Sequence, residues 1–76
     1  MEITHCISNR NNVESFSDDD TSFTKKIKLQ FMIDALKEYG FISPGKSFLV
    51  CKNKIIGFDW KEGKWIEMPF HRKVPI

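Results

Sequence analysis

SFLVCKNKIIGFDWKEGKWIEM, residues 47–68, is the stretch on which the fold turns. Ser47 to Cys51 is apolar on both faces and reads as a short buried strand. Lys52-Asn53 suits a two-residue turn, because asparagine tolerates positive φ. Ile55 to Trp60 reads as a second strand, Lys61-Glu62-Gly63-Lys64 as a loop, and Trp65 to Met68 as a third strand. Together they form an antiparallel meander. In that register Trp60 and Trp65 face each other, an aromatic pairing that contributes about 0.2–1 kcal/mol.

Upstream of the meander, Leu29, Met32, Ile33 and Leu36 recur at helical spacing, so Leu29 to Tyr39 is expected to be a helix with one core-facing stripe. Gly40 follows it as a left-handed cap, and Phe41 to Lys46, with its Pro44-Gly45 turn, reads as a connection. Ser22 to Phe31 supports two readings. Phe23, Ile27, Leu29 and Phe31 alternate as in a strand, while Phe23, Ile27 and Phe31 also form a helical stripe. The acidic Asp18-Asp19-Asp20 run suits a helix N-terminus, which favours a helix from about Ser22.

At the N-terminus, Glu2 to Ser8 alternates as a strand, with Ile3, His5 and Ile7 on one face and Thr4 and Cys6 on the other. Residues 9–20 are polar and rich in turn formers, and read as a loop pinned by Val13 and Phe16. Residues 69–76, with two prolines, read as an extended tail. The expected class is therefore α+β: one principal helix packed on a small antiparallel sheet made of the N-terminal strand and the C-terminal meander. The whole of 1–76 is expected to form one domain, since a chain of 76 residues is long enough for one core and no more.

Composition narrows the function classes. With only two cysteines and no basic-then-apolar leader in Met1-Glu2-Ile3-Thr4-His5, the expectation is a reducing, cytoplasmic setting. No apolar run approaches the roughly 20 residues of a membrane span. The net charge is +2, divided as 5 − 7 = −2 over residues 1–38 and 7 − 3 = +4 over residues 39–76. The C-terminal half is thus the basic pole.

Chemistry is hard to find. His5, Cys6, Cys51 and His71 are the soft ligands, but they lack the close pairs of a zinc site. Cys51 lies in an apolar strand, which disfavours a reactive thiolate. The four glycines never cluster into a phosphate loop. No catalytic residue, metal or cofactor is expected. The informative group lies around the meander. Lys52, Lys54, Lys61 and Lys64 stand at its turns, Arg72 and Lys73 follow it, and Trp60, Trp65 and Phe70 are interleaved with Phe58 and Lys46. Aromatic and arginine side chains dominate protein-binding hot spots. Rings beside lysines also suit single-stranded nucleic acid. A third reading puts both tryptophans in the core.

The small size, the lack of catalytic groups and the idiosyncratic sequence resemble small phage or mobile-element proteins in general. That resemblance implies a non-enzymatic inhibitor or adaptor that blocks a host enzyme or defence complex in the host cytoplasm. Its partner would be acidic or nucleic-acid-handling, to complement the basic pole. A basic-aromatic nucleic-acid-binding module is the alternative, and an uncovered strand edge also leaves room for a homodimer.

Overall fold

A computed structural model describes residues 2–76; Met1, the first residue of the segment read above for a leader, lies outside them. The described residues form eight strands and one α-helix: β1 (Ile3–Asn9), β2 (Asn12–Ser17), β3 (Ser22–Lys25), α1 (Leu29–Leu36), β4 (Phe41–Gly45), β5 (Phe48–Cys51), β6 (Gly57–Asp59), β7 (Trp65–Met68) and β8 (Arg72–Pro75). Five strands make one antiparallel sheet in the order β3-β2-β1-β5-β4, and three make a second in the order β6-β7-β8. The fold is α+β and mostly sheet.

The two-faced character of β5 explains the layering. Leu49 and Val50 are adjacent, point to opposite faces, and are both almost fully buried. Leu49 packs with Cys6, Val13 and Leu29, against Met32, Ile33 and Leu36 of α1. Val50 packs with Ile66, Met68 and Val74 of the small sheet. The five-stranded sheet is therefore a middle layer, with α1 on one face and the three-stranded sheet on the other. His5 and Cys6 divide in the same way, since His5 pairs with Val50 and Cys6 with Leu49.

The helix begins at Leu29 and tightens into a 3₁₀ turn at Lys37–Tyr39, and Gly40 caps it at φ 81°, as the sequence predicts. Several other expectations are corrected. Residues 9–20 are not a loop, because β2 pairs with β1 from Ile3↔Ser17 to Asn9↔Asn12. Its polar Ser15 is buried by sharing a hydrogen bond with Cys6 Sγ, at 3.4 Å. The helix does not start at Ser22: Ser22–Lys25 is the edge strand β3, paired with Val13–Phe16. The acidic run turns that hairpin instead, with Asp20 at φ 65° and the Asp19 carboxylate accepting from the Thr21 hydroxyl at 2.6 Å.

The meander is also shifted by one strand. β5 pairs with β1 and β4, not with β6, and Lys52–Lys54 is a 3₁₀ turn rather than a hairpin turn. Phe41–Gly45, expected as a connection, is the edge strand β4, whose register slips between Ile42 and Gly45, around Pro44. The three-stranded meander is completed by residues 72–75, so the expected tail is largely strand β8. Trp65 lies opposite Asp59, and the Trp60–Trp65 pairing does not form.

Candidate functional site

Sheet alternation exposes one apolar row. Ile56, Phe58 and Trp60 alternate with Gly57 and Asp59 along β6 and its flanks. β6 is an edge strand, and its ladder with β7 runs on to Ile56, whose N–H donates to the Glu67 carbonyl at 2.8 Å. Phe58 lies opposite Ile66. Ile66 is 2% exposed, whereas Phe58 is 54% and Trp60 60% exposed. The small sheet covers the middle layer through β7 and β8, and the side chains of β6 overhang that contact.

The overhang is ordered. Phe58 and Trp60 stack with ring centroids 6.0 Å apart and 15° between planes. The Lys64 ammonium stands 5.9 Å from the Trp60 ring centroid, a cation–π geometry. Asp59 turns the chain after the strand, its carboxylate accepting from the Lys61 N–H at 3.0 Å.

At the other end of the small sheet, Ile56 and Phe70 line a groove of about 330 Å³ together with Glu67, Met68, His71 and Lys73. Phe70 and His71 occupy the turn between β7 and β8 at φ 63° and 60°. Left-handed backbone is uncommon for residues other than glycine and asparagine, and for a bulky side chain it is strained. The strained turn holds Phe70 about half exposed.

The remaining cations divide. Lys73 is bound to Asp59 at 2.8 Å, which holds the Asp59 carboxyl below and the Lys73 ammonium above their ordinary values. Arg72 reaches Asp20 at 3.1 Å and lies 4.3 Å above the Phe16 ring, tying the small sheet to the middle layer. Lys54 pairs with Glu2 at 3.0 Å and lines a different recess, with Leu36, Tyr39 and Phe41. Lys52 stands exposed in the same 3₁₀ turn as Lys54. Of the residues singled out from sequence, Trp60, Lys61 and Lys64 thus stay together. Trp65 is half-buried on the opposite face of the small sheet, its indole N–H donating to the Glu62 carbonyl at 3.2 Å. Ile56 joins the site without having been singled out. Its signal was the i, i+2, i+4 alternation with Phe58 and Trp60.

The soft ligands are dispersed. Burial pushes the Cys6 thiol up, against a smaller opposing effect of its Ser15 hydrogen bond. His5 lies under the small sheet, stacked on Phe16 at 4.5 Å. Among the described residues, no group of three or more His, Cys, Asp or Glu side chains is placed to hold a metal ion, and no helix is long and apolar enough to cross a membrane. No protein-family model, no curated protein and no solved structure matches the chain.

Proposed function

We propose that this chain is a small non-enzymatic protein-binding module, an inhibitor or adaptor of the kind that phage or mobile elements direct against a host enzyme or defence complex. The observation that carries the reading is the Ile56–Phe58–Trp60 row, an apolar ledge on an edge strand that the chain's own core leaves uncovered. Covering that row and Phe70 would remove on the order of 400 Å² of apolar surface, about half of what one side of a standard interface buries. Lys61 and Lys64 at its rim would favour an acidic partner surface and speed encounter. The unpaired edge of β6 adds backbone donors and acceptors for an incoming strand.

A nucleic-acid module on the same hairpin is the competing reading. It draws on Lys64 over Trp60 and on Lys61, because Arg72, Lys73 and Lys54 are already held by carboxylates.

Affinity capture from host lysate tests the proposal, with wild type and a Phe58→Ala/Trp60→Ala variant as parallel baits. The expected outcome is a specific protein retained by wild type and depleted at least tenfold, about 1.4 kcal/mol, on the variant. Identical retention by both baits would remove the ledge as the site.

A further inference from the structure

Half-chain charge counts make the N-terminal half the acidic one, but folding redistributes the charges. Glu2 and Asp20 are taken up by Lys54 and Arg72 of the C-terminal half. Of the five cations of the N-terminal half, Lys37 lies at the far end of α1; the other four are Arg10, Lys25, Lys26 and Lys28, and among the described residues none of the four is in an ion pair. The topology gathers them at one end of the middle sheet. Arg10 precedes Asn11 in the β1–β2 turn, Lys25 pairs with Val13 at the start of β2, and Lys26 and Lys28 lie in the link to α1.

The acidic residues sit elsewhere. Asp18, Asp19 and Asp20 occupy the turn at the far end of β2, about 20 Å away for a six-residue strand. Glu14 projects from the face opposite Val13 and accepts from the Ser22 hydroxyl. Asp34 lies further along α1 and accepts from Gln30. The first turn of α1 carries no acidic side chain.

The basic cluster also carries rings and a recess. Asn11, Lys26, Ile27, Lys28 and Phe31 line a hollow of about 330 Å³, with Phe31 63% exposed on its wall. Phe23, two residues before Lys25 and on the same face of β3, is 46% exposed. Flat exposed rings supply stacking faces, flexible cations neutralise a phosphate chain, and the Asn11 amide offers both a donor and an acceptor to a base edge. A chain of carboxylates alone, such as polyglutamate, would leave the rings unused.

From this juxtaposition we propose that the Arg10–Lys25–Lys26–Lys28 surface, with Phe31 and Phe23, binds single-stranded nucleic acid. The surface is independent of the β6 ledge, because α1 and the small sheet lie on opposite faces of the middle layer.

Fluorescence anisotropy of a labelled mixed-sequence single-stranded RNA 12-mer, titrated with the full chain from 50 to 200 mM salt, tests it. About four phosphate contacts predict a slope of log K against log salt near −3. Lys26→Glu/Lys28→Glu should weaken binding at least tenfold and about halve the slope. Phe31→Ala should weaken binding with the slope unchanged, and Phe58→Ala/Trp60→Ala should leave binding intact. Arg10→Glu/Lys25→Glu serves as a second charge reversal, and circular dichroism checks that each variant folds. Binding that survives both charge reversals, or that is lost with Phe58→Ala/Trp60→Ala, overturns the proposal. So does equal affinity for polyglutamate or for vesicles containing phosphatidylserine, and so does no saturable binding at 50 mM salt.

Discussion

His5 is almost fully buried between two sheets, with its ring on Phe16 and its Nδ1 2.9 Å from the Thr4 hydroxyl. Burial, reinforced by the nearby Arg72 charge, lowers its pKa to about 4 from an ordinary 6.5. The neutral imidazole is therefore the folded form. In the unfolded chain His5 takes up a proton once the pH falls below 6.5, while the folded chain resists until about pH 4. Its contribution to stability is complete above pH 6.5 and is lost progressively on acidification to about pH 4, by roughly 3 kcal/mol in all. Urea unfolding at a series of pH values should show that slope, and His5→Gln should flatten it. An equally steep slope in the variant would place its origin elsewhere. Asp19 and Asp59, whose pKa values are lowered by hydrogen bonds to Thr21 and Lys73, lose their contributions in a more acidic window, as the pH falls through the carboxylate range.

Among the elements, the turn between β7 and β8 is the least comfortable. Two consecutive non-glycine residues, Phe70 and His71, hold left-handed backbone there. Each such residue costs about 1–2 kcal/mol relative to its preferred conformation. His71→Gly should leave stability unchanged or raise it by up to about 1 kcal/mol, as the steric relief outweighs the added freedom of the unfolded chain. A loss greater than that in urea unfolding would mean that the imidazole itself holds the turn. Sequence patterning reveals α1 through Leu29, Met32, Ile33 and Leu36, and β1 in its extent, but the expected shared face of Ile3, His5 and Ile7 is broken by a bulge between Ile3 and His5, so that Ile3 packs with Cys6 on the α1 side while His5 pairs with Val50 under the small sheet. β2 is hidden because its serines look like loop residues, and Ser15 is buried only once strand pairing brings Cys6 Sγ within hydrogen-bonding distance. β4 and β8 are hidden by Pro44 and Pro75, which a sheet tolerates here because both strands lie at edges.

At the scale of the whole molecule, long-range pairing decides what sequence patterning leaves open. That β5 joins β1 across some forty intervening residues has no local signal. It displaces the meander by one strand, while the Asp59↔Trp65 register of the β6–β7 hairpin separates Trp60 from Trp65. Three cations of the expected basic surface then meet carboxylates that are remote in sequence or across the sheet, Lys54 with Glu2, Arg72 with Asp20 and Lys73 with Asp59. What was legible of the site was its aromatic centre, Phe58 and Trp60 with Lys61 and Lys64, because those residues are neighbours along the chain. Partner binding at the ledge requires Trp60 to be surplus to folding and available to a partner. Urea unfolding of Trp60→Ala beside wild type, followed through the remaining Trp65, tests that most directly. The predicted loss is no more than about 1 kcal/mol, the scale of an exposed ring stack and cation–π contact. A loss of about 3 kcal/mol or more, as for a core tryptophan, would contradict it and return Trp60 to the interior.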